Sequence, residues 1–163
     1  MQFYIPKVLK RTLTVSASSS NSKQNLIRSA GIVLLIASVA FILYATLLFR
    51  TPVYTPPQLE LFWSYKAWFA GDKSLGKEII ENILLFVPFG FSLALLTGKN
   101  RTVLLAALTL TVVTELAQLI FGLGLFEWDD IINNTLGAGI GLAAARLLQH
   151  LFSLSTRSIP KKE

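Results

Sequence analysis

The chain has 163 residues, of which 53% are hydrophobic and only 15% charged, with a formal net charge of +6. A soluble domain carries about 25% charged residues, so this chain lacks the polar surface of a water-soluble fold, and its long uncharged runs point to the membrane class. The absence of cysteine excludes a disulfide framework, a thiolate nucleophile and a thiolate metal site.

The single histidine, His150, sits near the far end of the last apolar run and reads as an interface residue. No metal-ligand spacing or cofactor motif accompanies it, so neither a metal nor a cofactor is expected. The lysines and arginines lie mostly outside the apolar runs, where membrane topology accounts for them. With no zinc-finger or RNP signature beside them, they do not indicate a nucleic-acid partner.

In chain order, residues 1–28 read as a basic tail. Its first part, MQFYIPKVLKRTLTV, suits either a short helix on an anionic membrane surface or a frayed end. The stretch SASSSNS, Ser16 to Ser22, reads as a flexible linker. Ser29 to Phe49 is 21 residues without a charge. At ~1.5 Å per residue that is about 31 Å, enough to cross the hydrocarbon core and too long for a signal-peptide core.

Thr51 to Lys77 reads as a loop, because Pro52, Pro56 and Pro57 forbid an early helix. Within it, Phe62, Trp63, Tyr65, Trp68 and Phe69 predict a short helix at headgroup level, since aromatic residues favour that depth. Further spans are expected at about 79–97, 102–121 and 131–152. The second carries Pro88 mid-span, with a kink expected there. The fourth carries Gly137 and Gly141, whose spacing offers a face for packing a second copy of the chain. Residues 153–163 form a short basic tail. The expected architecture is all-α: a four-helix transmembrane bundle, residues 29–152, with one interfacial helix in the first loop.

Lysine and arginine counts set the expected orientation. With four spans, one face of the membrane receives eleven of them and the other four. The positive-inside rule then places both termini in the cytoplasm.

That topology gathers the unusual polar residues. Glu115 and Gln118 lie toward the outer end of the third span, on one helical face with Thr111. Asp130 and Asn134 open the fourth span, also one turn apart. Glu81 and Asn82 open the second, and Arg50 closes the first. Arg50, Asn82, Glu115, Gln118, Asp130 and Asn134 are thus expected at one depth, as a polar pocket with Arg50 as counter-ion to Glu115 or Asp130. Ionisable residues within a membrane are functional candidates by default. Four roles compete. The cluster fixes helix register by hydrogen bonds. It serves a proton-linked transporter. It binds an amphipathic component of the membrane, a membrane lipid included. Or Glu115 and Asp130 serve as a general acid/base pair. No HExxH motif or nucleophile elbow supports the last of these.

Three ordered motifs carry a family resemblance. Asn82, Phe86, Pro88 and Gly90 form N-x-x-x-F-x-P-x-G; Glu115 and Gln118 form E-x-x-Q; Asp130, Asn134 and Gly137 form D-x-x-x-N-x-x-G. Together they resemble the VanZ-like family of bacterial membrane proteins, over roughly Ile32 to Leu148. The resemblance implies a multi-helix integral membrane protein of a family linked to teicoplanin resistance. It implies a place in the bacterial plasma (inner) membrane and, for the binding role, a lipid-linked cell-wall intermediate or a glycopeptide as ligand; it supplies no reaction. Where the family often has one acidic residue in the last motif, this chain has Asp129 and Asp130, and the spacing to Asn134 selects Asp130.

Overall fold

A computed structural model describes residues 7–49, 52 and 56–157, with side chains described at 22, 24–49, 52 and 56–153. The elements are α1 (Lys7–Leu43), which continues into a π-helical turn (Tyr44–Leu48), then α2 (Trp63–Phe69), α3 (Lys73–Thr97), α4 (Asn100–Phe121) and α5 (Trp128–Arg157). Four helices are long and apolar enough to cross a membrane: Gln24–Leu48, Lys73–Thr97, Asn100–Phe121 and Trp128–Ser153. The all-α bundle with a short helix in the first loop is as the sequence predicts.

Several boundaries differ from expectation. The linker expected at Ser16–Ser22 lies inside α1. No Gly or Pro occurs between Lys7 and Ser29. Serine costs only a few tenths of a kcal/mol in a helix, so nothing there breaks one. At ~1.5 Å per residue, the 37 residues of α1 run about 55 Å, well beyond a bilayer core. The loop expected as far as Lys77 ends five residues sooner, because Asp72 caps α3: its Oδ1 accepts the Ser74 backbone N–H at 3.0 Å and the Ser74 hydroxyl at 2.5 Å. These bonds hold the Asp72 carboxyl below the usual range. α5 runs past the expected residue 152 to Arg157. α3 and α4 stop at glycines in the left-handed region, Gly98 (φ 66°) and Gly122 (φ 63°), a backbone that only glycine adopts cheaply.

α3 is the central helix, touching α1, α2, α4 and α5. Its seam with α5 is a backbone contact. A methyl group added at Gly137 would overlap the carbonyl oxygen of Ile83, one at Gly141 that of Val87, and one at Gly90 that of Ala138. Successive contacts fall one turn apart, so small residues line up along both helices. This corrects the expectation that Gly137 and Gly141 present a face to a second copy: α3 of the same chain fills that face. On either side, Phe86, Phe89, Ile42 and Ala138 form one apolar cluster, and Ala94, Val103, Leu142 and Ala145 another. Large apolar side chains on the outward faces, such as Leu105, Ile120 and Leu147, stay exposed, as lipid contact requires.

Candidate functional site: a polar layer beside a lateral groove

The polar residues collect where α1 ends, α3 begins, α4 ends and α5 begins. Glu115 is 1% exposed, Gln118 1% and Asn134 2%. A buried polar group costs free energy unless it is hydrogen-bonded, and each of these has a partner outside its own helix.

Gln118 donates through Nε2 to the Thr46 carbonyl at 3.1 Å. Thr46 sits in the last turn of the first helix, where carbonyls lack intrahelical donors, so Gln118 of α4 caps α1. Glu115 Oε2 accepts the backbone N–H of Glu127 at 3.0 Å. Glu127 immediately precedes α5, so this carboxylate meets an N–H group that the helix itself leaves unpaired. Asn134 Nδ2 reaches Thr111 Oγ1 at 2.8 Å, joining α5 to α4. Asn82 Nδ2 donates to Asp130 Oδ1 at 2.6 Å, joining α3 to α5. Asn82, Glu115, Gln118, Asp130 and Asn134 therefore do come together at one end of the bundle. Arg50, expected as their counter-ion, lies outside the described residues. Glu115 accepts from Glu127, and Asp130 from Asn82.

The layer is not saturated. The Thr46 carbonyl can face only an N–H, which fixes the orientation of the Gln118 carboxamide. Among the described residues Gln118 Oε1, Asn133 Nδ2 and Asn134 Oδ1 are buried without a partner. Each such atom costs about 1–3 kcal/mol.

The loop above the layer is fastened by residues to which sequence reasoning gave no role. Asp129 is fully buried. Its Oδ1 accepts the Phe62 N–H at 2.6 Å; its Oδ2 accepts the Ser64 N–H at 3.0 Å and the Ser64 hydroxyl at 2.6 Å. α2 starts behind Phe62, which has no side-chain oxygen and sits at φ 60°. A carboxylate from α5 thus caps α2 and holds a left-handed phenylalanine. The spacing argument selected Asp130 and so passed over Asp129. The usable signal was the absence of any capping residue at Phe62.

Three further ties hold this loop. The Gln58 N–H bonds the Phe126 carbonyl at 2.8 Å. The Tyr65 hydroxyl donates to Asn133 Oδ1. Trp63 Nε1 donates to Glu127 Oε2 at 2.9 Å. Burial, and then the negative charge of Asp130, push the Glu127 carboxyl up to about 7, although the Trp63 bond opposes the shift. Burial, with the charge of Asp129 second, also raises the Tyr65 hydroxyl above its ordinary value. Gly76 of α3 leaves room for the Trp68 indole, which a methyl group there would overlap. No group of three or more His, Cys, Asp or Glu that could hold a metal ion occurs among the described residues.

Beside the layer, between the end of α1 and the start of α3, lies a groove of about 430 Å³. Thr46, Glu81 and Asn82 supply its polar part, and Phe41, Ala45, Leu84 and Leu85 its apolar walls. Phe41 and Leu84 are each 61% exposed, so the groove opens sideways, toward where lipid would stand. Both walls depart from ideal helix. Ala45 and Thr46 belong to the π-helical turn, a rare geometry that is frequent at functional sites. Across from them, Pro88 has no N–H for the Leu84 carbonyl, which loses its helical donor.

Comparison with known proteins agrees with the motif reading. The VanZ/LLP1 family model matches residues 12–149. A curated relative, Protein VanZ of Enterococcus faecium, is 31% identical over 93 residues, which are 53% of this chain and 51% of that protein. The chain thus spans about half the length of the curated relative it matches. No solved structure matches the chain. With a family model covering most of its length and four apolar helices in one bundle, the chain belongs to the VanZ/LLP1 family and is a multi-pass membrane protein.

Proposed function

We propose that this protein binds an amphipathic, lipid-linked component of the bacterial cell envelope, laterally, at the outer end of its bundle. The single observation behind this reading is the groove between α1 and α3. It combines apolar walls open to the lipid side with a polar end formed by Thr46, Glu81 and Asn82. A ligand with a hydrocarbon chain and a polar head fits that division. Asn82 links the groove to the buried layer through Asp130. The unpaired carboxamide atoms of Gln118, Asn133 and Asn134 support a role in polar recognition over simple helix pairing. The Lys and Arg distribution supports an outward-facing polar end with cytoplasmic termini in the plasma membrane. Cell-wall precursors and lipid-bearing glycopeptides are the ligand classes in keeping with the family, and teicoplanin susceptibility is the phenotype to follow.

The test uses purified protein in detergent with a lipid-linked cell-wall precursor or with teicoplanin. Retention is read by native mass spectrometry. Leu84→Trp fills the groove and Asp130→Asn removes the charge behind it. Both variants, folded by circular dichroism, are expected to lose retention by about tenfold or more. Equal retention in wild type and both variants, or none in wild type, overturns the proposal. Conversion of the precursor to a new product, lost in Glu115→Gln, would replace binding by acid/base catalysis.

A further inference from the structure

The opposite end of the bundle carries a second groove of about 560 Å³, lined by Gln24, Ile27, Arg28, Leu95, Leu96 and Gln149. α1 closes on α3 at Gly31, where an added methyl group would sit 3.2 Å from the Leu96 side chain. One turn earlier on α1 the two helices leave the groove between them, with the end of α5 contributing Gln149. Its depth is set by the spans themselves: Gln24 begins the first, Leu95 and Leu96 lie at the end of the second, and Gln149 lies in the last turns of the fourth. That is headgroup level.

Charge at this end is one-sided. Of the nine acidic residues, eight fall within residues 60–130, at or near the polar layer and its loop; the ninth, Glu163, lies outside the described residues. Arg28, Lys99, Arg101 and Arg146 share the opposite end, and Arg28 forms no ion pair among the described residues. Arg146 is held in place. Its Nε donates to Asn100 Oδ1 at 2.9 Å and its Nη1 to Gln149 Oε1 at 2.8 Å. Its Nη2 is buried with no partner. Gln149 therefore stands between a fixed guanidinium with a spare donor and a groove that holds an unpaired guanidinium.

We infer that this groove binds an anionic phospholipid from the adjacent leaflet, with Arg28 taking the phosphodiester and Ile27, Leu95 and Leu96 taking the upper acyl chain. A guanidinium suits a phosphate because its planar fork matches two oxygens. The aliphatic residues beside it favour a ligand that carries hydrocarbon over a free anion. The site is independent of the groove at the other end and of any ligand bound there.

Native mass spectrometry of the full chain from a neutral detergent, with phosphatidylglycerol or phosphatidylcholine added, tests the inference. Phosphatidylglycerol should be retained in preference. Arg28→Gln should weaken that retention about tenfold, the scale of one charge-assisted hydrogen bond. Leu96→Trp, which fills the groove and keeps every charge, should weaken it as well, whereas Lys99→Gln should leave it near wild type. Equal retention of the two lipids overturns the inference, as does unchanged retention in Arg28→Gln. An equal loss in Lys99→Gln reduces it to general surface attraction, and displacement by millimolar inorganic phosphate assigns a free-anion site instead. If Arg28→Gln does not fold, Leu96→Trp decides: unchanged phosphatidylglycerol retention in it overturns the inference.

Discussion

The α3–α5 seam and the polar layer lie in the same bundle and hold helices together by opposite means. The seam has almost no side chain: Gly90, Gly137 and Gly141 bring backbone against backbone. The layer is nearly all side chain, with Gln118, Glu115, Asn82 and Asn134 each reaching beyond its own helix. Seam contacts gain dispersion energy without burying a charge. Layer contacts average well under 1 kcal/mol each in membrane proteins, and they bury carboxylates and leave carboxamide atoms unpaired. Register between α3 and α5 is already set by the seam, one turn after another. The Asn82–Asp130 bond is therefore surplus to register between those two helices, while Gln118, Glu115 and Asn134 tie α4 to α1 and to α5; the buried atoms that none of these bonds satisfies are the physical reason to seek a role in recognition.

The largest expected effect breaks the seam. Gly141→Leu drives a side chain into the Val87 carbonyl and should cost about 3 kcal/mol or more. Fluorescence-detected chromatography should show aggregated or absent protein. Gly139→Ala, on the same helix, meets only the Leu104 side chain at 3.9 Å and should leave thermal stability within about 0.5 kcal/mol of wild type. If both behave alike, the seam is not a close backbone contact.

A smaller effect should follow at the loop. Asp129→Ala removes the acceptor for the Phe62 and Ser64 N–H groups, and stranding them costs about 1–3 kcal/mol. The bundle should persist while the loop detaches, so trypsin should cut at Lys66 much faster than in wild type. A global melt in step with loop cleavage would deny that the loop is a separable unit.

The smallest effect is in pH. The folded Glu127 carboxyl titrates near 7 and the free one near 4.5. The folded state thus binds the proton more tightly. Its contribution to loop docking is fully present below pH ~4.5 and is lost as pH rises through about 7. Tryptophan emission should report a less tightly docked loop at pH 8 than at pH 5. Glu127→Gln keeps an oxygen for Trp63 and should flatten the response; an unaltered profile in it assigns the response to another group.

Architecture was legible in the sequence because the hydrophobic effect writes it in long, uncharged runs. The members of the polar layer were legible too, since Glu115 or Asp130 in such a run has few neutral explanations. Pairing was harder to read. The 137–141 spacing states that some backbone comes close and not whose, and only the assembled bundle identifies α3. Asp129 was invisible for a related reason: its partners are backbone N–H groups of residues 62 and 64, and backbone donors leave no mark in composition. The serine-rich stretch in α1 was misread because low complexity was weighed over the absence of any helix breaker.

The cap supplied by Asp129 has one more implication. Two elements far apart in sequence share a single carboxylate, so α2 cannot lift from the bundle by degrees. Separating them exposes a buried charge and two unpaired amides in one step. Shared in this way, the carboxyl group makes the seating of the aromatic loop cooperative. Under rising denaturant, loop exposure should therefore follow a sigmoid in place of a slope.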